Sequence, residues 1–248
     1  MNMQKILAQI IIIGCLLLAG CATVKTPDPR DPYENINRGI FKFNLAFDKV
    51  ILKPITKTYH FILPNFAQKG INNFFFNIAE TVTIVNDILQ LDFRKTAVDT
   101  SRLAINTTLG IVGLIDVAAR MNLQPSYNDL GVTLAKWGAK DTPYVMLPII
   151  GPTTVANGIG LAIDYYAFSV FPYLKNDVRL PLLGLLLVDL RNSLLPADKL
   201  MEQALDPYVF VRNAYLQRRE RMLHRHAKHL EDIDPYIEES ATTTEQKK

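Results

Sequence analysis

Histidine and serine are the residue types from which this chain would build a hydrolase, because a serine nucleophile needs an imidazole base. His60 stands alone in KTYHFILP, whereas the other three histidines fall together in HRHAKH, as His224, His226 and His229. No G-x-S-x-G nucleophile motif is present. No serine has a histidine near it in the sequence; the serines are Ser101, Ser126, Ser169, Ser193 and Ser240. A lipid hydrolase would therefore have to be assembled by folding around His60, and it stays an alternative.

The histidine cluster is also the place to look for a metal site. His226 and His229 share a helix face at i, i+3, the spacing of two zinc ligands. Arg225 and Lys228 lie beside them and repel a cation, and no carboxylate in register precedes Glu231. The sequence therefore predicts no metal site, and a solvated basic helix end explains the cluster better.

The net charge of the chain says little more about its function. The chain has 27 lysines and arginines against 24 acids, so its formal charge is +3 and predicts no particular partner. The basic segment RRERMLHRHAKH has few aromatic residues, which argues against nucleic acid. It fits a solvated helix face, or contact with anionic lipid headgroups or an acidic partner. Two acids have local partners at helical spacing, Asp99 with Arg102 and Asp116 with Arg120, and we expect ordinary ion pairs there.

The two cysteines belong to the N-terminal segment. Lys5 precedes an apolar run over residues 6–18, and Ala19 and Gly20 lead directly to Cys21. This pattern is typical of a secretory signal peptide at residues 1–20. The cut site Leu-Ala-Gly-Cys resembles the lipobox of bacterial lipoproteins, in which the cysteine carries a covalent lipid. We therefore expect Cys21 to be the lipid-attachment residue, with residues 21–30 as a linker and no other cofactor.

The lipobox also indicates where the chain is anchored. Ala22 stands where an aspartate would favour retention in the inner membrane. The expectation is thus the periplasmic face of the outer membrane in a Gram-negative bacterium. Cys15 leaves with the signal, so the mature chain cannot form an intramolecular disulfide.

The apolar residues of the mature chain are unusually continuous. Uncharged runs cover residues 103–115, 142–163 and 165–174, but Pro143, Pro148 and Pro152 interrupt the longest. None of these runs is a convincing spanning helix, which needs about 20 continuous residues. They suit either an ordinary core or helices lying within one leaflet.

Helix signals dominate the remainder and predict a mainly α fold with little or no β structure. A helix is expected from Asp31, as a capping residue, to about Leu52 before Pro54. Another begins at Asp206-Pro207. Shorter helices are predicted from Ile78, Thr96, Ile111 and Leu182, and one or two extended pieces over residues 145–150. Residues 31–232 are expected to form a single domain and residues 233–248 a flexible tail.

Several segments together carry a family resemblance. They are DPYENINRGIFKFN, NDILQ, NTTLGIVGLIDVA, NDLGVTLAKWG with PYVMLPIIGPTT, and DPYVFVRNAYLQRR. In this order, after a lipobox, they resemble the MlaA (VacJ) family of outer-membrane phospholipid-binding lipoproteins. The resemblance covers residues 31–219, nearly the whole mature chain.

The resemblance implies both an architecture and a function. It implies a ring of amphipathic and broken apolar helices around a central polar channel, seated beside trimeric porins. The channel would remove mislocalised phospholipids from the outer leaflet and pass them to a periplasmic carrier protein, without enzymatic turnover. Residues matching the family's channel-control segments are Phe43, Asn44, Trp137, Gly138, Pro143, Tyr144, Leu147, Pro148, Gly151 and Pro152. A phospholipase and a structural porin-associated lipoprotein are the alternatives.

Overall fold

The computed structural model describes residues 28–231, with side chains as far as residue 223. The signal peptide, Cys21 and residues 233–248 lie outside the described residues, as do the side chains of His224, His226 and His229. The expectations for these parts stay predictions.

Helices make up most of the described chain, which confirms the mainly α prediction. The α-helices are α1 (Glu34–Phe47), α2 (Lys53–Ile62), α3 (Asn65–Leu89), α4 (Phe93–Thr108), α5 (Val117–Arg120), α6 (Leu130–Lys136), α7 (Val155–Ile163), α8 (Asn176–Leu194), α9 (Asp198–Gln203) and α10 (Pro207–Glu231). π-Helical turns cover Asp48–Leu52 and Asp164–Phe168, and 3₁₀ turns cover Phe171–Tyr173 and Leu195–Ala197. The strands β1 (Tyr144–Leu147) and β2 (Gly151–Thr154) pair antiparallel, Tyr144 facing Thr154 and Leu147 facing Gly151.

The first helix departs from prediction at its start. It begins at Glu34 and has no side-chain cap, so the predicted capping role of Asp31 is wrong. Asp31 is instead fully buried and accepts hydrogen bonds from Asn37 Nδ2 (2.8 Å) and Arg212 Nη1 (3.0 Å). Its carboxylate joins α1 to α10, a tertiary use that local spacing does not reveal.

The predicted end of this helix at Leu52 is also wrong. The chain passes through the π-helical turn and continues directly into α2, with Lys53 in right-handed helical conformation. The π-helical turn resets the hydrogen-bonding register, so Pro54 occupies the first turn of α2, where its missing N–H is tolerated.

The helix predicted from Ile111 does not form before Val117. Ile111, Val112 and Gly113 instead have positive φ angles of 54°, 56° and 89°. A Cβ on Gly113 would lie 2.5 Å from Asn77 Cβ, so this left-handed turn packs directly onto α3. The other predicted helices are present, as α3, α4, α8 and α10, and the expected extended pieces form the hairpin β1–β2.

The distribution of polar and apolar side chains between interior and surface is the reverse of that in a water-soluble domain. Among the described residues, twenty buried side chains are polar or charged and only eleven are apolar or aromatic hydrophobic. Thirty-six large apolar or aromatic residues are exposed, for example Phe61 at 90 % and Phe66 at 79 %. Soluble monomers rarely leave such extensive apolar surface in contact with water. The described fold therefore encloses polar groups and presents an apolar exterior.

A small aromatic cluster is the main apolar core of the fold. Phe41 of α1, Tyr144 and Met146 of β1, and Tyr208 of α10 are each at least 92 % buried. The Tyr208 ring meets Phe41 and Tyr144 edge-on, with centroids 5.7 and 6.3 Å apart. This cluster fixes the hairpin against the first and last helices.

One helical run is long and apolar enough to cross a membrane, judged by length and composition alone. It covers residues 176–203, from α8 to α9, and 11 % of its most apolar window is buried. Within the described chain, the three uncharged runs noted in the sequence do not meet this criterion.

Candidate functional site

The polar interior is built around α3. Seven residues of this 25-residue helix are buried, and six of them are polar; they are Gln68, Asn77, Glu80, Thr83, Asn86 and Asp87, with Phe75 as the seventh. From Asn77 onward, Glu80, Thr83 and Asn86 follow at intervals of three residues, which keeps this polar run on one half of the helix surface. The buried residues of α4 are all polar as well, Asp99, Arg102 and Asn106. The two helices thus meet through polar faces.

Two neighbouring polar cavities lie along α3. One has a volume of about 170 Å³, enough for several waters, and its walls include Glu80, Arg102 and Asp116. The other has a volume of about 300 Å³, and its walls include Asp189 and Asn192. Asn72 and Asn73 line both cavities. We call this pair of cavities the polar tract.

An ionic network forms one wall of the smaller cavity. Arg102 is 4 % exposed and donates from Nε to Glu80 Oε1 (2.9 Å) and from Nη2 to Asp116 Oδ2 (3.2 Å). Asn106 Nδ2 also donates to Asp116. Asp116 in turn caps α5, because its carboxylate accepts a hydrogen bond from the Ala119 amide. Burial raises the pKa of Glu80 to about 7, although its bond to Arg102 acts in the opposite direction. The local pairs expected from spacing, Asp99 with Arg102 and Asp116 with Arg120, do not form.

Two buried carboxylates lie side by side near the other end of α3. Asp87 and Asp99 are both fully buried, and the Ser126 hydroxyl lies between them, within 3.3 Å of Asp87 and in close contact with Asp99. Asn128 Nδ2 donates to Asp87 (2.8 Å). Burial, reinforced by Asp99, raises the pKa of Asp87 to about 7. The Asp87 carboxylate therefore holds a proton more readily than an exposed aspartate does.

A layer of hydrogen bonds between α2, α3 and α8 forms one wall of the larger cavity. Asp189 accepts from the Tyr59 hydroxyl (3.0 Å) and from Asn72 Nδ2 (2.9 Å). Asn192 Nδ2 donates to Gln68 Oε1 (2.9 Å). Burial, with the Asp189 contact adding to it, raises the pKa of the Tyr59 phenol above its usual range, so its hydroxyl stays a donor.

His60, around which a hydrolase would have to be assembled, lies beside this layer, and so does Ser193 of α8, but the two side chains do not meet. His60 Nδ1 lies 3.0 Å from Asn192 Oδ1, and Ser193 Oγ donates to the Leu190 carbonyl (2.7 Å). A serine nucleophile must be bonded to its base. The contacts of these two side chains do not provide that arrangement.

Asn44, one of the predicted channel-control residues, holds the hairpin. Its Nδ2 donates to the Leu147 carbonyl (2.9 Å), and its Oδ1 accepts from the Ile149 amide (2.8 Å). Asn37, seven residues earlier on α1, binds β1 in the same manner through the Tyr144 carbonyl (3.2 Å) and the Met146 amide (2.8 Å). The two amide side chains therefore satisfy the open edge of β1 as a partner strand would.

The other predicted channel-control residues lie on or near this hairpin and at the end of α6. Leu147 and Gly151 end the paired strands, Pro152 faces Met146, and Pro148 is in the turn. Tyr144 is fully buried. Phe43 and Trp137 are 50 % and 60 % exposed, and Gly138 has φ 113°. Pro143 borders a separate cleft of about 750 Å³. None of the predicted residues lines the polar tract as described, so the structure groups them around the hairpin and not around these cavities.

Sequence reasoning missed the residues of the polar tract. The signal was present in NFAQKGINNFFFNIAETVTIVNDIL, where amides and acids recur at helical spacing within an otherwise apolar helix. As for metals, the described residues hold no group of three or more histidines, cysteines or acids that could bind one.

Comparisons with known proteins agree on one family. A model of the family described as MlaA lipoprotein matches residues 29–222. The chain is 33 % identical over 221 residues to the intermembrane phospholipid transport system lipoprotein MlaA of Escherichia coli, covering 87 % of this chain and 88 % of that protein. It is 39 % identical over 192 residues to an uncharacterised protein of Rickettsia typhi, covering 77 % and 76 % of the two chains.

A solved structure has a similar fold. It belongs to work on the structural basis for maintenance of bacterial outer membrane lipid asymmetry, and the superposition has a TM-score of 0.67 at 34 % identity. The match covers 78 % of this chain and 98 % of the solved chain.

Proposed function

The chain belongs to the MlaA lipoprotein family, and from this premise we propose that it moves phospholipids between membranes as an outer-membrane lipoprotein. It removes mislocalised phospholipids from the outer leaflet through a polar passage and passes them to a periplasmic carrier protein, which preserves lipid asymmetry. No covalent chemistry is required of the protein.

The observation that carries this proposal is the inverted burial of the fold. A phospholipid headgroup is charged, and moving it through hydrocarbon without polar partners costs several kcal/mol or more. The polar tract offers amides, carboxylates and a guanidinium, which replace part of the headgroup's hydration. Irregular backbone at membrane depth is tolerated where it is buried in protein or lines a water-filled cavity, and the left-handed turn of residues 111–113 packs against α3.

The proposed setting is one leaflet of the outer membrane, entered from the periplasm. The exposed apolar side chains would contact lipid tails, and a lipid on Cys21 would add to that attachment, since one acyl chain alone holds weakly. Trimeric porins are the proposed neighbours in the membrane. Among the predicted channel-control residues, Asn44 would act by positioning the hairpin.

The proposal is tested by replacing the gene and measuring phospholipid in the outer leaflet. Deletion should raise outer-leaflet phospholipid and sensitise cells to detergent with a chelator. Asn72→Phe, which places a ring where the two cavities meet, should fail to restore the wild-type state. Ser101→Phe, at an exposed position of α4, should restore it.

Two results would contradict the proposal. One is an unchanged outer-leaflet phospholipid content after deletion. The other is full complementation by Asn72→Phe at the same protein level as the wild type. Release of free fatty acid by the purified wild-type protein, abolished by His60→Ala, would favour a phospholipase instead.

A further inference from the structure

An apolar groove runs between α2 and α8 on the outer side of the polar tract. It has a volume of about 640 Å³, within the range of about 300–1,000 Å³ typical of small-molecule sites. Its walls are formed mainly by Ile55, Ile62, Leu63, Leu185 and Val188. Ile55 and Ile62 are 51 % and 66 % exposed, so these walls are open to a ligand.

The few polar atoms of the groove are already engaged within the protein. Thr58 Oγ1 donates to the Pro54 carbonyl (3.1 Å), and the Tyr59 hydroxyl donates to Asp189 (3.0 Å). A peptide lying in the groove would bury backbone amides without partners, which is unfavourable. A hydrocarbon chain has no such groups, so the lining selects for an acyl chain.

The groove adjoins the larger polar cavity through a single hydrogen-bonded layer. Tyr59 lines the groove, and its partner Asp189 lines the cavity together with Asn72. Lys69, which also lines this cavity, supplies a positive charge there. An apolar groove beside a polar cavity with a cation matches the two parts of a phospholipid, its tail and its phosphate.

We propose that the α2–α8 groove holds one fatty acyl chain of a phospholipid whose headgroup occupies the neighbouring polar cavity. This inference rests on the proposed function, and it adds where the tail travels. The headgroup then moves along the polar tract while the tail remains in an apolar environment, so neither part crosses an unfavourable medium.

Gly184 offers a way to close the groove without disturbing the fold. It lines the groove in the middle of α8, and a Cβ added there meets no atom within 4 Å. Because Gly184 borders the groove and has open surroundings, we expect a phenylalanine there to occupy part of the groove. Glycine is a poor residue for a helix interior, so its replacement does not weaken α8. Gly39, an exposed glycine of α1 with equally open surroundings, is the matched control.

The experiment uses the full-length lipidated protein in nanodiscs of phosphatidylethanolamine and phosphatidylglycerol that carry a trace of phosphatidylethanolamine with a diazirine on one acyl chain. After irradiation, mass spectrometry maps the labelled peptides. We expect labelling concentrated on residues 55–63 and 184–188 in the wild type and in Gly39→Phe. In Gly184→Phe this labelling should fall roughly tenfold, the change that corresponds to about 1.4 kcal/mol.

Other occupants give distinct results. Equal labelling of the groove in Gly184→Phe and wild type, or even labelling over the whole apolar surface, would overturn the inference. A wild-type groove that stays unlabelled would also overturn the inference, because the groove would then be left to an occupant other than a lipid tail. The proposed function is judged separately: if deletion raises outer-leaflet phospholipid while the wild-type groove stays unlabelled, only the groove assignment fails.

Discussion

Replacing Asn44 with alanine removes both hydrogen bonds that tie α1 to the hairpin turn. The Leu147 carbonyl and the Ile149 amide lose their side-chain partners at 2.9 and 2.8 Å. Each such bond contributes about 0.5–1.5 kcal/mol net, and water can reach this partly exposed turn, so we expect a loss of about 1–2 kcal/mol. Ile149, held at φ 66°, is the residue most directly released.

Hydrogen exchange measures this loss at the turn itself. A local loss of 1–2 kcal/mol accelerates exchange of the Ile149 amide about 5- to 30-fold. Asn44→Asp keeps an acceptor for Ile149 but loses the donor to Leu147, so its exchange rate should fall between those of wild type and Asn44→Ala. Lys42→Ala, at an exposed position of the same helix, should leave exchange unchanged.

Asn37 extends the same reasoning to a buried site. It is 2 % exposed, and its removal leaves the Tyr144 carbonyl and the Met146 amide without their partners inside the protein. Unpaired buried groups cost about 1–3 kcal/mol each, so the loss of two partners in Asn37→Ala should destabilise the whole fold by about 2–6 kcal/mol. Unchanged exchange at residues 147–151 in Asn44→Ala would refute the positioning role of these asparagines.

Three further predictions concern the polar interior and the turns that enclose it. Arg102→Leu leaves Glu80 buried without its cation and should lower the free energy of unfolding by about 3–5 kcal/mol in chemical denaturation; wild-type stability would contradict the buried ion pair. Because burial raises the pKa of Asp87 to about 7, the folded state binds more protons than the unfolded state between pH 4 and 7. The thermal midpoint in detergent should therefore fall as pH rises through this window, and less so in Asp87→Asn; an equal fall in both proteins would exclude this role. Gly138→Ala, with φ 113° and open surroundings, should cost about 1–2 kcal/mol, and Gly113→Ala about 1–3 kcal/mol more because its Cβ overlaps α3; equal midpoints would contradict the close packing.

The parts of the fold that the sequence predicts correctly depend on local chemistry. Asp206 before Pro207 predicts the start of α10, and the structure shows Asp206 Oδ1 accepting from the Tyr208 amide (3.0 Å). A cap acts within three residues, so spacing alone reveals it. The left-handed turn that begins at Ile111 is the opposite case, since its conformation depends on packing against α3, far away in the sequence.

The polar interior is harder to predict because the usual rule of burial is reversed in this protein. Local spacing pairs Arg102 with Asp99, whereas its partners in the fold are Glu80 and Asp116, 22 and 14 residues away. The periodicity of apolar residues locates a helix whether the protein lies in water or in lipid, but it does not show which face of the helix turns inward. The inward position of the α3 amides, such as Asn72, can be predicted only if the exterior of the fold is assumed to face an apolar medium.

The accessibility of introduced thiols in nanodiscs tests most directly whether water reaches the polar tract while lipid covers the apolar exterior. Asn72→Cys lines the polar tract, whereas Phe61→Cys lies on the apolar exterior at a position that is 90 % exposed in the isolated chain. We expect a charged, water-soluble thiol reagent to modify Asn72→Cys rapidly and Phe61→Cys slowly in nanodiscs, with the parent protein measured as the background. Rapid modification of Phe61→Cys together with protection of Asn72→Cys would contradict this expectation.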